Sequence, residues 1–405
     1  MLIVAAARFN KQFPHAEIRI FTEAPDRLIA IIPYGIPVLL KGRDQWHMKW
    51  NIIGGLHKFF PFVSKSWLFY QENIFKLKYR SFSRWWITRR LGNRGYDVAS
   101  IHAYINEVEQ ADIVIAVGGG YITDSFEGHA CNLLQTLALA QAHGKPTAMF
   151  GQGLGPVKSK RLLDWTKKVL PNLAFLSLRE NLYSKPFALS VGVSLNKIDV
   201  TGDDAITLVH SKTPSSLGNA IGINLRIASY SGLHKEVLDK IKEVVNNAAT
   251  ELKTELRAIP IANHESDSDV HALRFLLGDE LVENIEILDT PEKVIEQVKD
   301  CRIVITGSYH AGVFALSQGI SVIGIAASDY YRHKFEGLAD QFGVGCLIVD
   351  RENIAFLANL KSAIYSSWDD ADNIRQTLLK KAQQQISLSE SAYLSFSEKL
   401  AKDQN

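Results

Sequence analysis

The sequence predicts an α/β protein with two Rossmann-like domains that face each other across a cleft, a GT-B-like arrangement. Three observations predict this fold. Short β-branched runs alternate with helical patterns, the alternation occurs twice, and a polar stretch separates the two series. At 405 residues, the chain is long enough for two ordinary hydrophobic cores. We therefore expect domains at residues 1–215 and 216–369, and a C-terminal helix at 370–405 that packs back on the first domain.

The first series opens with an amphipathic helical pattern at Met1–Phe13 and a strand pattern at Glu17–Thr22. From Ala111 onward, strands and helices alternate with short loops, which is typical of parallel βαβ units. The predicted strands of this part are Ile113–Val117, Thr147–Phe150, Ala174–Leu178 and Ile198–Val200, and the helices between them include Ala130–Ala142 and Leu162–Leu170.

An insertion at about residues 41–100 interrupts the alternation. Between Lys41 and Arg94, it carries twelve lysines and arginines against two acids and holds five of the seven tryptophans. This composition is compatible with a membrane interface rich in anionic lipid, with a groove for a sugar polymer, or with an ordinary helical excursion whose charges are solvated. No recognisable nucleic-acid-binding module surrounds it, so nucleic acid is not a predicted partner.

The polar stretch Ser211–Asn219 contains turn residues and marks the predicted domain boundary. A second alternation of strands and helices follows it. The predicted strands are Ala220–Leu225, Arg257–Ile261, Ile285–Ile287, Arg302–Ile305, Ser321–Ile325 and Cys346–Val349, and the helices include Leu233–Thr250, Val270–Leu277, Pro291–Lys299 and Tyr331–Phe342.

Composition narrows the function classes only a little. The formal net charge of +2 selects no partner class. The three cysteines are far apart and form no CxxC pattern, so neither a disulfide framework nor a zinc site is predicted. The apolar segment Leu28–Leu40 is broken by Pro33 and Pro37 and is too short to span a bilayer. We therefore expect a cytoplasmic protein without a transmembrane helix.

Two glycine-rich runs follow neighbouring strand patterns of the first domain. Gly118, Gly119 and Gly120 form the first run, and Gln152 and Gly153 lie in the second. Glycines let a backbone approach a ligand closely and direct N–H groups at its oxygens. Neither run matches the GxGxxG pattern, and no P-loop lysine follows, so nicotinamide dinucleotide and ATP are not supported. Because parallel strands end at one edge of a sheet, both runs are expected to share one rim.

Charged residues follow the same strands. Asp124 has two interpretations, contact with a reacting hydroxyl or capping of a helix. Arg179 either binds an anion or pairs with Glu180 or another nearby carboxylate. Asp203 and Asp204 close the last strand of the series and are expected at the cleft. Adjacent aspartates need not converge on one ion, and no metal site is predicted.

The segment Cys301–Ala327 reads as strand, tight turn, helix and strand, with His310 at the turn and Ser308 just before it. In an open α/β sheet, a side chain at this place lies at the carboxyl end of a parallel strand. The helix N-terminus beside it favours an anion. His310 is therefore the first catalytic candidate, and the alternative is that it only caps or packs the turn.

Two cations of the second domain follow other strand patterns. Arg226 comes directly after Ala220–Leu225, and arginine suits bidentate capture of a carboxylate or phosphate. Lys334 lies in the helical pattern after Ser321–Ile325, from which it could reach the same anion. The alternatives are a surface ion pair for Arg226 and a solvated helix position for Lys334.

Taken together, six segments resemble the polysaccharide pyruvyl transferase family in their order and spacing, over most of residues 100–345. They are VGGGYITD (117–124), GQGLGPV (151–157), SLRE (177–180), TGDDA (201–205), GINLR (222–226) and TGSYHAGVFALSQGISVIGI (306–325). The resemblance implies a GT-B-like pair of domains. It also implies transfer of a pyruvyl group from phosphoenolpyruvate to hydroxyls of a cell-surface sugar, giving a ketal, with no cofactor besides this donor substrate.

The implied reaction needs an acid for the methylene carbon of the enol, a base for the sugar hydroxyl, and cations for carboxylate and phosphate. His310 aligns with the histidine of the family and is the predicted general acid. Arg226 and Lys334 are the predicted anion binders. The glycine runs would shape the opposite wall, and Asp124 would contact the acceptor sugar.

The residues before His310 depart from the family pattern. Many members have Arg-Leu-His at this turn, whereas this chain has Ser308 and Tyr309. Two other hypotheses therefore stay open: a GT-B-type glycosyltransferase that uses a nucleotide sugar, and a non-catalytic glycan-binding relative. In the leading hypothesis, the acceptor is a lipid-linked or nucleotide-linked oligosaccharide of envelope or exopolysaccharide synthesis, and the basic insertion docks at the inner membrane surface.

Overall fold

The computed structural model of the chain describes residues 1–47, 75–210, 213–225, 235–262, 269–278 and 290–403. Within these ranges, the fold is the predicted α/β arrangement of parallel sheets. Arg226, the predicted strand Ile285–Ile287 and much of the basic insertion lie outside the described residues. None of the helices in the described ranges has both the length and the apolar composition needed to cross a bilayer.

A small parallel βαβ unit lies near the start of the chain. Strands β1 (Ile18–Thr22) and β2 (Gly35–Leu39) pair in parallel as a separate two-stranded sheet. The helices of this region are α1 (Leu2–Gln12), α2 (Pro25–Ile31), α3 (Lys41–His47), α4 (Lys76–Lys78), α5 (Arg80–Gly92) and α6 (Val98–Gln110).

The main sheet of the first domain has four parallel strands in the order β3-β4-β5-β6. These strands are β3 (Val114–Ile122), β4 (Thr147–Leu154), β5 (Phe175–Leu178) and β6 (Ile198–Val200), with helices α7 (Glu127–Ala142), α8 (Lys160–Val169) and α9 (Ser184–Ser190) between them. The prediction that β3 and β4 end before their glycine runs was wrong. Pairing continues through Gly119 and Gln152 with a register shift, so both runs lie inside paired strands.

The sheet of the second domain has five parallel strands in the order β11-β10-β9-β7-β8. The strands are β7 (Ala220–Asn224), β8 (Glu255–Ala258), β9 (Cys301–Thr306), β10 (Ser321–Ala326) and β11 (Cys346–Asp350). The helices that pack with this sheet are α10 (Ile206–His210), α11 (Lys235–Glu251), α12 (Val270–Leu277), α13 (Pro291–Lys299), α14 (Tyr309–Ser317) and α15 (Asp329–Phe342). Helix α10 precedes the expected domain boundary, but its residues Ile206 and Val209 are buried in the core of the second domain. The central strand β9 therefore carries the histidine turn at its carboxyl end, between the ends of β7 and β10.

The final helix, α16, runs from Phe356 to Asp403 and contacts both domains. It begins earlier than the predicted residue 370, because no glycine or proline after Gly345 interrupts the helical pattern. Its first half contributes Leu360 to the core of the second domain. Its last turns reach the first domain, where Tyr393 stacks on Phe150 with ring centroids 4.2 Å apart. Helix α16 thus packs against the hydrophobic cores of both domains.

Candidate active site

Side chains from the carboxyl ends of both sheets meet in one contact group, which we call the cleft site. Arg179 directly follows β5, and Asp203 lies just after β6. From the second domain, Tyr309 and His310 open helix α14 after β9, and Lys334 lies in helix α15. Parallel strands bring their carboxyl ends to one edge, which is why residues so distant in sequence meet here.

A buried ion pair forms the floor of the cleft site. Nη1 of Arg179 lies 3.1 Å from Oδ2 of Asp203, and the two side chains are only 4% and 1% exposed. The other carboxylate oxygen of Asp203 accepts a hydrogen bond from the backbone N–H of Ala205 at 2.9 Å. Burial acts to raise the pKa of Asp203, but Arg179 and then His310 hold that pKa below its usual value. Asp203 is therefore an ionised partner of Arg179 at neutral pH.

Tyr309 brings an aromatic ring of the second domain against the same guanidinium. The centre of the Arg179 guanidinium lies 4.3 Å from the ring centroid of Tyr309, within cation–π distance. Burial raises the pKa of the Tyr309 hydroxyl, which therefore stays protonated. Arg179 is thus held by a carboxylate of its own domain and by an aromatic ring of the other.

His310 is a neutral imidazole beside these charges. Its Nε2 lies 4.0 Å from Oδ2 of Asp203, and about a third of its side chain is exposed. Burial is the main cause that lowers the pKa of His310 to about 4. Asp203 opposes this shift, and the nearby cations Arg179 and Lys334 add to it. At neutral pH, this histidine can accept a proton, and it can act as an acid only after it has gained one.

The glycine runs make room for the cations of the site. A Cβ atom at Gly153 would lie 2.4 Å from Nη2 of Arg179. At Gly120, a Cβ atom would lie 2.6 Å from that same nitrogen and 3.2 Å from Nζ of Lys334. Two cations from opposite domains therefore flank one strand position that only glycine fills without displacement. Such a pair is suited to bind an anion with more than one charge.

Helix α15 lies across the cleft and holds Lys334 in place. The Tyr330 hydroxyl donates a hydrogen bond to the backbone oxygen of Gly120 at 3.0 Å. The Lys334 ammonium lies 3.9 Å from the ring centroid of Tyr330. Further along the helix, His333 stacks on Tyr183 of the first domain, with ring centroids 3.8 Å apart and an interplanar angle of 11°. The domains are therefore in direct contact around the site.

Asp124 belongs to a different contact group. Its two carboxylate oxygens accept hydrogen bonds from the backbone N–H groups of Lys158 and Ser159, at 2.7 Å and 2.9 Å. These bonds hold the loop that leads into α8. The described contacts of Asp124 thus anchor this loop, whereas α8 itself is capped by Ser159, and they do not join Asp124 to the residues around His310.

Gln152 and Ser308 mainly support the backbone of the cleft. Nε2 of the buried Gln152 donates to the Tyr121 hydroxyl and to the Phe150 carbonyl, both at 3.1 Å, whereas its Oε1 has no hydrogen-bond partner among the described residues. The backbone N–H of Ser308 donates to Oγ1 of Thr306 at 2.8 Å, and its hydroxyl makes no capping bond to α14. Both residues therefore shape strand ends that border the site.

Gly118 and Arg226 were also predicted to bind substrate. A Cβ atom at Gly118 would lie 2.5 Å from the sulfur of Met1, so this glycine gives room to the start of the chain. Arg226 lies outside the described residues. The strand before it, β7, pairs with β9 in parallel from Ala220↔Cys301 to Asn224↔Thr306, so the two strands end side by side.

The adjacent aspartates Asp203 and Asp204 have separate partners. Asp203 pairs with the cleft arginine, whereas Oδ1 of Asp204 accepts from Arg8 at 3.1 Å and from Ser389 at 2.5 Å. Oδ2 of Asp204 accepts from the Tyr393 hydroxyl at 2.8 Å. The two carboxylates thus do not converge on one ion. Across the described ranges, no group of three or more His, Cys, Asp or Glu side chains could hold a metal.

Asp203 was expected at the cleft without a role in binding or catalysis, and Tyr309 was not predicted as a site residue. The sequence contains a signal for Asp203. The segment TGDD follows one strand pattern and SLRE contains the end of another, and the carboxyl ends of parallel strands meet at the same edge of a sheet. For Tyr309, no signal existed, since a tyrosine beside a turn histidine is as readily a core residue.

A family model described as polysaccharide pyruvyl transferase matches residues 1–329 of the chain. A comparison with curated proteins gave no match.

Three solved structures illustrate the fold likeness. The calicheamicin glycosyltransferase has a TM-score of 0.50 at 11% identity, over 98% of this chain and 93% of that one. A glycosyltransferase from Rickettsia africae has a TM-score of 0.48 at 11% identity, over 99% of this chain and 94% of that one. A UDP-N-acetylglucosamine 2-epimerase from Rickettsia bellii has a TM-score of 0.46 at 12% identity, over 75% of this chain and 80% of that one. The likeness to the first structure concerns the fold alone and confirms the predicted GT-B-like pair of Rossmann-like domains.

Proposed function

The chain belongs to the polysaccharide pyruvyl transferase family, and from this premise we propose that it transfers a pyruvyl group from phosphoenolpyruvate to a sugar of a cell-surface or exopolysaccharide precursor. The product is a ketal, and inorganic phosphate is released. The observation that carries the proposal is the cleft site, where a histidine lies near an ion-paired aspartate and two cations from opposite domains. A phosphorylated carboxylic acid needs such a charge pattern.

Donor binding in this proposal uses the positive charge of the site. Arg179 pairs with Asp203 on one side of the strand position Gly120, and the Lys334 ammonium lies on the other side. Phosphoenolpyruvate carries a carboxylate and a phosphate, which match cations on two sides of the cleft. Arg226 remains the third proposed anion binder, because the strand before it ends beside the strand that leads to His310.

The proposed chemistry begins with a proton on His310. The negative charges of the bound donor favour the imidazolium, and Asp203 stabilises it from 4.0 Å. His310 then gives this proton to the methylene carbon, and a sugar hydroxyl bonds to the neighbouring carbon. The proton of that hydroxyl returns to the histidine. The bond from this carbon to the phosphate oxygen breaks, a second sugar hydroxyl takes its place, and the second hydroxyl proton leaves with the phosphate.

The acceptor in this proposal is an oligosaccharide precursor, either lipid-linked or nucleotide-linked, and the place of reaction is the cytoplasm. A lipid-linked acceptor would bring the protein to the inner membrane face. The second candidate function is a glycosyltransferase that uses a nucleotide sugar. It is favoured by Ser308, which stands where many family members have an arginine for the donor.

Calorimetric titration of phosphoenolpyruvate, and of UDP in parallel, tests the proposal on the purified chain. We expect phosphoenolpyruvate to bind, Arg226→Ala to weaken binding by about 10- to 100-fold, and His310→Asn to keep most of the affinity. Binding of UDP without phosphoenolpyruvate would favour the glycosyltransferase. If a well-folded protein binds neither, the non-catalytic interpretation replaces both.

The pH dependence of donor binding follows from the low pKa of His310. Because that pKa is about 4 in the free protein and rises when the anion binds, binding takes up a proton at pH values between about 4 and the raised pKa, and the affinity falls as the pH rises through this range. Titration in two buffers with different ionisation enthalpies measures this uptake. The phosphate group of the donor also titrates near pH 6. His310→Asn separates the two sources, and equal proton uptake by both proteins would contradict the role of His310.

Gly153→Ala is expected to weaken donor binding without unfolding the protein. The new methyl group would lie only 2.4 Å from Nη2 of Arg179, so the guanidinium must shift from the position in which it pairs with Asp203. We expect a loss of affinity for phosphoenolpyruvate of about 10-fold or more. Gly128→Ala is the matched control, because its added methyl group meets no atom within 4 Å. Equal affinities of the two variants would show that Arg179 does not bind the donor.

A further inference from the structure

Helix α5 presents aromatic side chains to solvent on one face. Tyr79 just before the helix is 46% exposed, Phe82 is 55% exposed and Trp85 is 54% exposed. The rings of Phe82 and Trp85 contact each other, with centroids 5.7 Å apart. Phe82, Trp85 and Arg89 follow the 3–4 residue spacing of one face of α5, and Lys78 and Tyr79 lie in the segment directly before this helix. We call them the basic aromatic face.

The segment around helix α5 carries only basic charged residues. Residues 75–94 contain seven lysines and arginines and no aspartate or glutamate. On the face itself, Lys78 lies 5.7 Å from the ring centroid of Tyr79, and Arg89 lies 5.9 Å from that of Trp85. Cations therefore lie directly beside the exposed rings, and any partner of this face must tolerate a dense positive charge.

The opposite face fixes the orientation of α5. Ile87 and Leu91 are buried in a cluster with residues of α6 and α7. Arg84 donates from Nε to His102 at 2.9 Å and from Nη2 to Asn106 at 2.8 Å, both on α6. Because the helix is anchored by these contacts, it cannot roll to bury Phe82 and Trp85 without breaking them.

A cavity of about 510 Å³ opens beside Trp85, between α5, α6 and α7. Among the described residues, the charged lining consists of Lys76, Arg80, Arg84 and Glu109, of which Arg84 and Glu109 form an ion pair at 3.3 Å. An anionic headgroup at the surface would find positive charge here as well as on the face. The cavity thus lies next to the exposed rings, and its charged lining is mainly basic, like the face itself.

We infer that the basic aromatic face docks the protein on a membrane surface rich in anionic lipid. Aromatic rings beside cations are the side chains that occupy the boundary between headgroups and acyl chains. Anionic headgroups supply the complementary charge. A sugar polymer fits less well, because the five residues of the face include no carboxylate or amide side chain to bind sugar hydroxyls. The inference extends the proposed function, on which it rests for the lipid-linked acceptor.

Vesicle flotation without donor or acceptor tests this inference separately from the transfer activity. We expect the full chain to bind vesicles that contain phosphatidylglycerol, to bind pure phosphatidylcholine weakly, and to lose binding as salt is added. Phe82→Ser with Trp85→Ser is expected to lower the partition coefficient by about tenfold or more. The matched control is Leu195→Ser with Ile354→Ser, which removes two exposed apolar side chains elsewhere.

Circular dichroism melts establish that each double variant is folded, and calorimetry establishes that each still binds phosphoenolpyruvate like the parent chain. No binding of the parent to anionic vesicles overturns the inference, as does equal binding of both double variants. Loss of binding to a soluble polysaccharide, with vesicle binding unchanged, would assign the face to a sugar polymer instead. Failure of donor binding alone would count against the proposed function and leave the docking surface standing.

Discussion

Replacing His310 with asparagine is expected to lower the turnover number of pyruvyl transfer by about 100- to 10,000-fold, the usual contribution of a general acid. Asparagine keeps the approximate size and polarity of the side chain but cannot deliver a proton to the methylene carbon. Phosphate release at saturating donor and acceptor measures the effect. Because the cations of the cleft site remain, the affinity for phosphoenolpyruvate should change far less than the turnover number.

His271→Asn is the matched control for this prediction. His271 lies exposed on helix α12 of the same domain, so its replacement should leave the turnover number within about twofold of the parent value. A turnover number of His310→Asn within about threefold of the parent would remove the histidine from the proposed mechanism. A large loss of donor affinity with unchanged turnover would make it an anion binder instead.

Replacing Asp204 with alanine is expected to lower the free energy of unfolding by about 3–5 kcal/mol, the usual cost of removing one partner of a buried ion pair. The side chain of Asp204 is fully buried, and its partner Arg8 is only 12% exposed. The variant also leaves the hydroxyls of Ser389 and Tyr393 without their acceptor. Denaturant unfolding with linear extrapolation measures the loss.

Asp199→Ala provides the control for Asp204. Asp199 is an exposed aspartate on strand β6, close to Asp204 in sequence, and its loss should change the free energy of unfolding by less than about 0.5 kcal/mol. Tyr393→Phe removes one donor to Asp204 while the ring stays in the core, and we expect a loss of about 1 kcal/mol. A loss for Asp204→Ala no larger than that of the control would contradict the assigned role.

The order of strands and helices could be predicted because hydrophobic periodicity is a local property of the sequence. Strand Ile198–Val200 has the same bounds in the prediction and in the structure. The ends of β3 and β4 were predicted too early, since glycine usually marks the end of a strand. At Gly119, the φ angle of +156° still allows an extended backbone, and parallel pairing with Gln152 continues the sheet.

The partners inside the cleft site could not be predicted in the same way. Glu180, Asp203 and Asp204 were all plausible carboxylates for Arg179. The choice among them depends on side-chain directions after the strand ends, which no local pattern contains. Glu180 instead accepts from backbone N–H groups at the start of α9, including that of Ser184 at 2.6 Å. The exposed rings of α5 likewise could be counted from the sequence but not assigned to one face.

The contact of helix α16 with the first domain has a consequence for biosynthesis. The core around Phe150 and Phe175 is completed by Tyr393 and Phe396, although the last strand of that sheet ends at Val200. At a synthesis rate of 5–20 residues per second, the ribosome needs about 10–40 s to make the intervening stretch of about 200 residues. During that time, this face of the nascent sheet can pack against α1, which contributes Ala5 and Phe9, but it lacks the rings of Tyr393 and Phe396. The first domain, although encoded first, therefore completes its fold last.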